Sequence, residues 1–184
     1  IKAEAFEDDI DQSKRNTLLR LKKFIQTQRG GKEFKIGFVF PMPGIRGTVK
    51  NVFKECGNGL VGEMVIGPTD VIKEDYDILF VDESHRLSKR KNLTGYKSFD
   101  DVSRLLDLEP TKTNQLEWVL KSAKHIVLFY DKSQSVKSSD ISHDEYENTL
   151  KKYNYVTNEH ILETQMRCEG GDTYLQYIKD IMTC

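Results

Sequence analysis

The sequence predicts an α/β fold built on a mainly parallel sheet, and three observations carry that expectation. Short unbroken apolar runs recur at Lys35–Phe40, Tyr76–Val81 and His125–Tyr130, with the length and side-chain types of strands buried on both faces. Amphipathic segments with helical spacing separate them, as in successive βα units. Acidic residues directly follow two of the runs, where an open parallel sheet forms its ligand crevice.

The elements follow in order. Asp11–Gln28 reads as a helix because Leu18, Leu21, Phe24 and Ile25 share one face, and Gly30-Gly31 stops it. The strand Lys35–Phe40 is ended by Pro41 and Pro43. Ile45–Cys56 is helical through Val49, Val52 and Phe53, and Gly57 and Gly59 close it. Met64–Ile66 is a short strand ended by Gly67-Pro68, and Tyr76–Val81 is a longer one. A polar stretch from His85 to about Thr113 contains a short helix near Asp100–Leu106. Asn114–Ala123 is a helix with Leu116, Val119 and Leu120 inward, leading to the strand His125–Tyr130. Glu145–Lys152 is expected as helix, Tyr155–Glu163 as one more strand, and Asp172–Met182 as a final amphipathic helix.

The 184 residues fit one domain, and 38% hydrophobic against 31% charged residues permits a buried core. No repeat or low-complexity linker divides the chain. The formal net charge of -1 argues against a globally basic nucleic-acid binder and leaves room for a local basic patch. Cys56, Cys168 and Cys184 are odd in number and widely spaced, so neither a disulfide framework nor a structural zinc site is expected. Three free thiols suit a reducing cytoplasm. No run approaches the roughly 18 apolar residues of a membrane-spanning helix, so no membrane partner is expected.

The chemistry gathers after the strands. Asp82-Glu83 closes the run Asp77-Ile-Leu-Phe-Val-Asp-Glu-Ser-His-Arg86. Adjacent carboxylates at the end of a buried strand are costly without a task. The first can hold a magnesium ion and the second can orient and deprotonate an attacking water, which is the Walker B arrangement. The plainer alternative is a pair of solvated turn residues or a helix cap. Asp131 and Gln134 follow the next run, and a glutamine there can touch a terminal phosphate or the attacking water; an ordinary polar loop is the alternative. Arg167 could offset charge on a transferring phosphoryl group, or be a surface or structural arginine. Pro43-Gly-Ile-Arg-Gly-Thr48 offers a glycine-containing turn before a helix, but it lacks Gly-Lys-Ser/Thr and is not a Walker A loop. The basic run His85, Arg86, Lys89, Arg90, Lys91 could contact nucleic-acid phosphates or be a solvated loop.

Taken together, the blocks Phe38–Thr48, Met64–Pro68, Tyr76–Leu87, Leu128–Ser135, Ser139–Ile141 and Glu163–Cys168 resemble the Schlafen group-3-like DNA/RNA helicase domain family. That family is a branch of P-loop ATPases similar to superfamily 1 helicases. The resemblance implies a three-layer, RecA-like P-loop fold, with ATP and magnesium as cofactors and single-stranded DNA or RNA as a partner. It assigns magnesium binding to Asp82, base catalysis to Glu83, phosphate sensing to Gln134 and terminal-phosphate contact to Arg167. Asp131, at the same sheet edge as Gln134, is a further cofactor-binding candidate. Arg46 and Thr48 fall in the family's motif Ia, near the nucleic-acid strand; Arg86 and Arg90 are further nucleic-acid candidates. Ser84 stands where the family usually has alanine. The family's Gly-rich Lys-Ser/Thr loop is absent, so residues 1–184 are expected to be a single partial domain with Walker A upstream of residue 1. The expected function is part of an ATP-hydrolysing helicase-like protein, the isolated chain being inactive. The alternative is a nucleic-acid-binding or interaction module that keeps the fold without catalysis.

Overall fold

A computed structural model of the chain describes residues 16, 19–20, 23, 34–57, 59–132, 134, 137–153, 155, 157–162 and 171–182. Residues Ile1–Tyr153 form one compact unit and Asn154–Cys184 a second.

The first unit is α/β. Its four strands are β1 (Ile36–Val39), β2 (Val65–Ile66), β3 (Tyr76–Val81) and β4 (Ala123–Leu128). They form one sheet in the order β2-β1-β3-β4, and every pairing is parallel. Parallel neighbours need crossover connections, and helices supply them. Helix α1 (Pro43–Cys56) links β1 to β2, while α2 (Tyr96–Leu105) and α3 (Gln115–Ser122) lie between β3 and β4. Helix α4 (His143–Lys152) follows β4. Helix α5 (Gly171–Met182) belongs to the second unit.

Local chemistry explains the boundaries. α1 begins at Pro43, earlier than the apolar pattern suggests, because proline is preorganised for a first helical position and its missing N–H costs nothing there. The Asn114 side chain caps α3 by accepting from the Glu117 amide. At α4, Ser142 and Glu145 satisfy each other's backbone amides in a reciprocal capping box. α2 starts at Tyr96 and so includes Phe99, which packs 4.5 Å from Trp118 between ring centroids. The Trp118 indole donates to Ser103 Oγ, which donates to the Phe99 carbonyl, so this buried polar pair is satisfied.

The two sheet faces differ. Val39, Leu79 and Val81 are fully buried among Leu87, Leu116, Trp118, Val119 and Ile141. In-register pairing puts Ile36, Phe38, Ile78, Phe80, His125 and Val127 on the opposite face. There α1 contributes Phe53, edge-on to Phe38 at 5.0 Å, and Phe38 stacks on Phe80. Coverage fails toward β4, where Val127 and Phe129 are 40% and 44% exposed. The sequence expectation of burial on both faces therefore holds for one face only. β4 is an edge strand, so its apolar run has a neighbour on one side alone.

Three other expectations need comment. β4 spans Ala123–Leu128, two residues earlier than expected, because Ala123 pairs with Tyr76 at the start of β3. The strand expected over Tyr155–Glu163 is not formed: residues 155 and 157–162 adopt no regular structure, and Ile161 and Leu162 are exposed. An apolar pair with no strand beside it has no ladder to join. Of the helix expected over Asp11–Gln28, Asn16, Leu19, Arg20 and Lys23 are helical and the remainder lies outside the described residues. No helix is long and apolar enough to cross a membrane among the described residues.

Candidate functional site

The strand order reverses between β1 and β3: the chain crosses from β1 outward to β2, and from β3 outward to β4. Diverging connections leave a crevice at the strands' carboxyl ends. A pocket of about 390 Å³ lies there, lined by Phe38, Phe40, Phe80, Phe129 and Asp82. Its walls are aromatic and its one charged group is Asp82. The Asp82 amide donates to the Val39 carbonyl, which fixes the backbone at the mouth of β1. The Asp82 carboxylate makes no hydrogen bond or ion pair among the described residues, although the residue is half-buried. A half-buried carboxylate without a side-chain partner can accept a cation or a hydrogen-bond donor.

Glu83 follows in a left-handed conformation, φ 48° and ψ 45°. A residue other than glycine, asparagine or aspartate is uncommon there, and such backbone costs of order 1 kcal/mol or more. The turn folds the carboxylate back over Ser84–Arg86. Glu83 Oε2 accepts from Arg86 Nε at 3.3 Å and lies 3.1 Å from His85 Nε2. His85 is 1% exposed. Its Nδ1 accepts from the Asp131 amide at 3.4 Å, so Nε2 carries the proton when the ring is neutral. That Nε2–H faces Glu83 Oε2 at an angle too poor for a hydrogen bond, so Nε2 is buried without a partner. Both contacts fall on Oε2 and leave Oε1 available.

The loop after β4 meets this turn directly. Phe129 donates its amide to Val81, and the Phe129 carbonyl accepts from both the amide and the hydroxyl of Ser84 at 2.8 and 2.9 Å. Ser84 also meets the phenol of buried Tyr146 on α4. Gln134 Nε2 donates to Asp131 Oδ2 at 2.6 Å. A continuous chain of contacts thus runs from Gln134 through Asp131 and His85 to Glu83. His85, absent from the sequence-derived site except as part of a basic run, is its central member. The sequence signal was its place at the end of Asp-Glu-Ser-His; its burial could not be read there.

The remaining candidates are more dispersed. Arg46 projects from α1 onto the turn at Gly67–Asp70: a Cβ on Gly67 would fall 2.3 Å from Arg46 Nη1, so glycine makes room for the guanidinium. Burial pushes the Asp70 carboxyl up, but Lys73, the Gly67 amide and Arg46 outweigh it and hold it below the usual carboxylate range. Thr48 is exposed on α1. Arg86 is paired with Glu83. Arg90 forms a two-point contact with Asp100 at 2.7 and 3.0 Å and lies over the Tyr96 ring. Arg167 lies outside the described residues. Among the described residues no group of three or more His, Cys, Asp or Glu gathers as an all-protein metal site.

No curated protein and no solved structure matches the chain. A family model described as Schlafen group 3, DNA/RNA helicase domain, matches residues 2–184. The match spans nearly the whole sequence, includes every described strand and both loops of the crevice, and so identifies the chain as a member of the Schlafen group 3 DNA/RNA helicase domain family, a helicase-like domain.

Proposed function

We propose that the crevice at the ends of β1, β3 and β4 is the magnesium- and water-handling half of an ATP-hydrolysing site, completed by a Walker A loop upstream of residue 1. The observation that carries this reading is the unpaired Asp82 carboxylate inside an aromatic pocket at the switch point of a parallel sheet. Magnesium suits one or two protein carboxylates with the rest of its shell from phosphate and water, so the absence of an all-protein cage fits it. Asp82 would hold the ion, directly or through water, and the ion would offset negative charge on the nucleotide's phosphates.

Glu83 Oε1 accepts a proton from water as the water oxygen bonds to the terminal phosphorus and the bond to the leaving diphosphate oxygen breaks. Arg86 holds the other carboxylate oxygen, His85 Nε2 lies 3.1 Å from it, and the strained turn fixes its direction. Gln134 senses the terminal phosphate, and its link through Asp131 and His85 relays loop position to the base. Arg167 offsets developing charge on the phosphoryl group.

The open edge supports the same reading. A further parallel strand beside β4 would cover Val127 and Phe129 and satisfy the outer backbone groups of β4. The Walker A strand is proposed as that strand. Without its loop amides and lysine, the chain alone should bind ATP weakly or not at all.

The test is ATP turnover by a protein that includes the upstream segment, with and without single-stranded DNA or RNA. Glu83→Gln should lower turnover by about 100-fold or more while nucleotide binding persists. An active Glu83→Gln protein would remove Glu83 from the base role. Micromolar ATP affinity of the 184-residue chain in calorimetry would contradict the half-site reading.

A further inference from the structure

Tyr146 lies on α4, away from the strand ends that form the crevice, yet it touches both of the crevice's loops. It is 5% exposed. Its ring stacks on Tyr130 at 4.1 Å between centroids and 27° between planes. Tyr130 directly precedes Asp131, so this contact bears on the loop after β4. The phenol hydroxyl meets Ser84 in the turn after β3. Ser84 is fully buried, and its hydroxyl donates to the Phe129 carbonyl at 2.9 Å. With that proton committed, the serine oxygen is left as an acceptor for the Tyr146 O–H.

The same helix backs this contact from one turn earlier. His143 Nδ1 is hydrogen-bonded with the Tyr130 hydroxyl at 3.1 Å, and the two rings stack at 5.9 Å. Tyr130 is therefore held from α4 both at its ring and at its hydroxyl, while its ring meets His85 edge-on at 6.3 Å. The backbone bond from the Ser84 amide to the Phe129 carbonyl ties the two loops at one point, about which they could pivot. Tyr146 supplies a second point and so fixes their angle. That angle matters because the Asp131 amide reaches His85 Nδ1 at 3.4 Å, near the limit of a hydrogen bond. A small slackening between the loops would break this bond, and with it the chain of contacts from Gln134 to Glu83.

We propose that Tyr146 is a positioning residue for the crevice: its hydroxyl on Ser84 and its ring on Tyr130 set the loop carrying Asp131 and Gln134 at the angle that aligns Glu83 with the attacking water. Tyr146 does not line the crevice pocket and acts through these two contacts alone. The catalytic consequence rests on the ATP-hydrolysing reading of the crevice; the positioning of the loop does not. A reacting group misplaced by about 1 Å loses on the order of 100-fold in rate. Removing one hydroxyl while the ring stays is a partial release, and the expected loss is correspondingly smaller.

The experiment uses the protein that includes the upstream segment. Tyr146→Phe keeps the ring and removes the hydroxyl, and Ser84→Ala removes the group that receives it. Each should lower kcat for ATP by about tenfold while KM stays within about twofold. The double variant should be no slower than Ser84→Ala alone, because the two hydroxyls act as one unit. Hydrogen exchange without nucleotide gives a second readout. The Asp131 amide should exchange about tenfold faster in Tyr146→Phe, with Leu79 in the buried middle of β3 unchanged. Unchanged exchange at Asp131 would overturn the proposal. So would an intact kcat in Tyr146→Phe accompanied only by lower stability, which is what a packing role predicts, and so would losses that multiply in the double variant. Faster exchange at Asp131 together with a Glu83→Gln protein that still hydrolyses ATP would place the error in the base assigned to Glu83 and uphold the positioning of the loop.

Discussion

Glu83, His85 and Tyr146 show how single residues set the character of this site. Glu83 accepts a strained backbone, and the return is a carboxylate held at one oxygen and free at the other. His85 is buried with one ring nitrogen engaged and the other short of a proper partner, a costly arrangement unless a small shift of Glu83 completes it. Tyr146 offers the clearest measurement. Burial pushes its phenol up to about 12, against the help that Ser84 gives the ionised form. The folded value lies above the unfolded one, so the fold gains from the protonated phenol. That gain is fully present below about pH 10 and is lost as pH rises toward 12. About two units correspond to roughly 2 to 3 kcal/mol. Denaturant titration between pH 9 and pH 12 (roughly the span of the two values) should show stability falling, and Tyr146→Phe should flatten the part of the fall due to this residue. An undiminished slope in the variant would show that other groups dominate the alkaline limb.

At the scale of elements, α4 is the piece that ties the two loops of the crevice to Lys89 and to α3. Tyr146 packs on Tyr130 at 4.1 Å between centroids and reaches Ser84, while Glu145, Thr149 and Lys152 face Lys89, Asn114 and Glu117. Its first turn depends on the reciprocal bonds of Ser142 and Glu145. Ser142→Ala should therefore cost about 1 kcal/mol, read as a lower urea midpoint at unchanged slope. The Glu145 carboxyl is pushed up by burial but is held lower than usual by Lys89 and Ser142, which win. Its contribution is present above the unfolded carboxylate value and fades as pH falls through the folded one, so acid should loosen the N-terminus of α4 before its C-terminus. Hydrogen exchange along α4 would report that order.

At the scale of the whole molecule, the sheet is finished on one face and open on the other. Ridges of buried aliphatic residues seal one side, whereas Val127 and Phe129 meet solvent along β4. Exposed apolar edges attract further strands. Val127→Lys supplies a test that separates an open edge from a covered one. In the 184-residue chain it should change stability by no more than about 0.5 kcal/mol and should reduce self-association in sedimentation. In a longer protein with the proposed Walker A strand in place, the same change should cost about 2 kcal/mol or more, because the ammonium would then be buried. Equal effects in both would count against a strand beside β4.

The sequence by itself determined the four strands of the sheet, their parallel arrangement and which carboxylates stand at the strand ends. Apolar runs of strand length, glycine and proline breaks, and carboxylates directly after a run are local properties, and physical chemistry reads them without the fold. Asp82-Glu83 and Asp131-Gln134 were legible for that reason, and the family followed from their order. Tertiary structure alone decided what depends on neighbours distant in sequence. Whether β4 is central or at the edge is set by the pairing order, so its exposure could not be read from His125–Tyr130. His85 looked like one more member of a basic run, yet the loop after β4 buries it against Glu83. Arg86 and Arg90 looked like free cations of that same run, yet Glu83 and Asp100 engage them. Ion pairing is settled by distance in space and not by order in sequence.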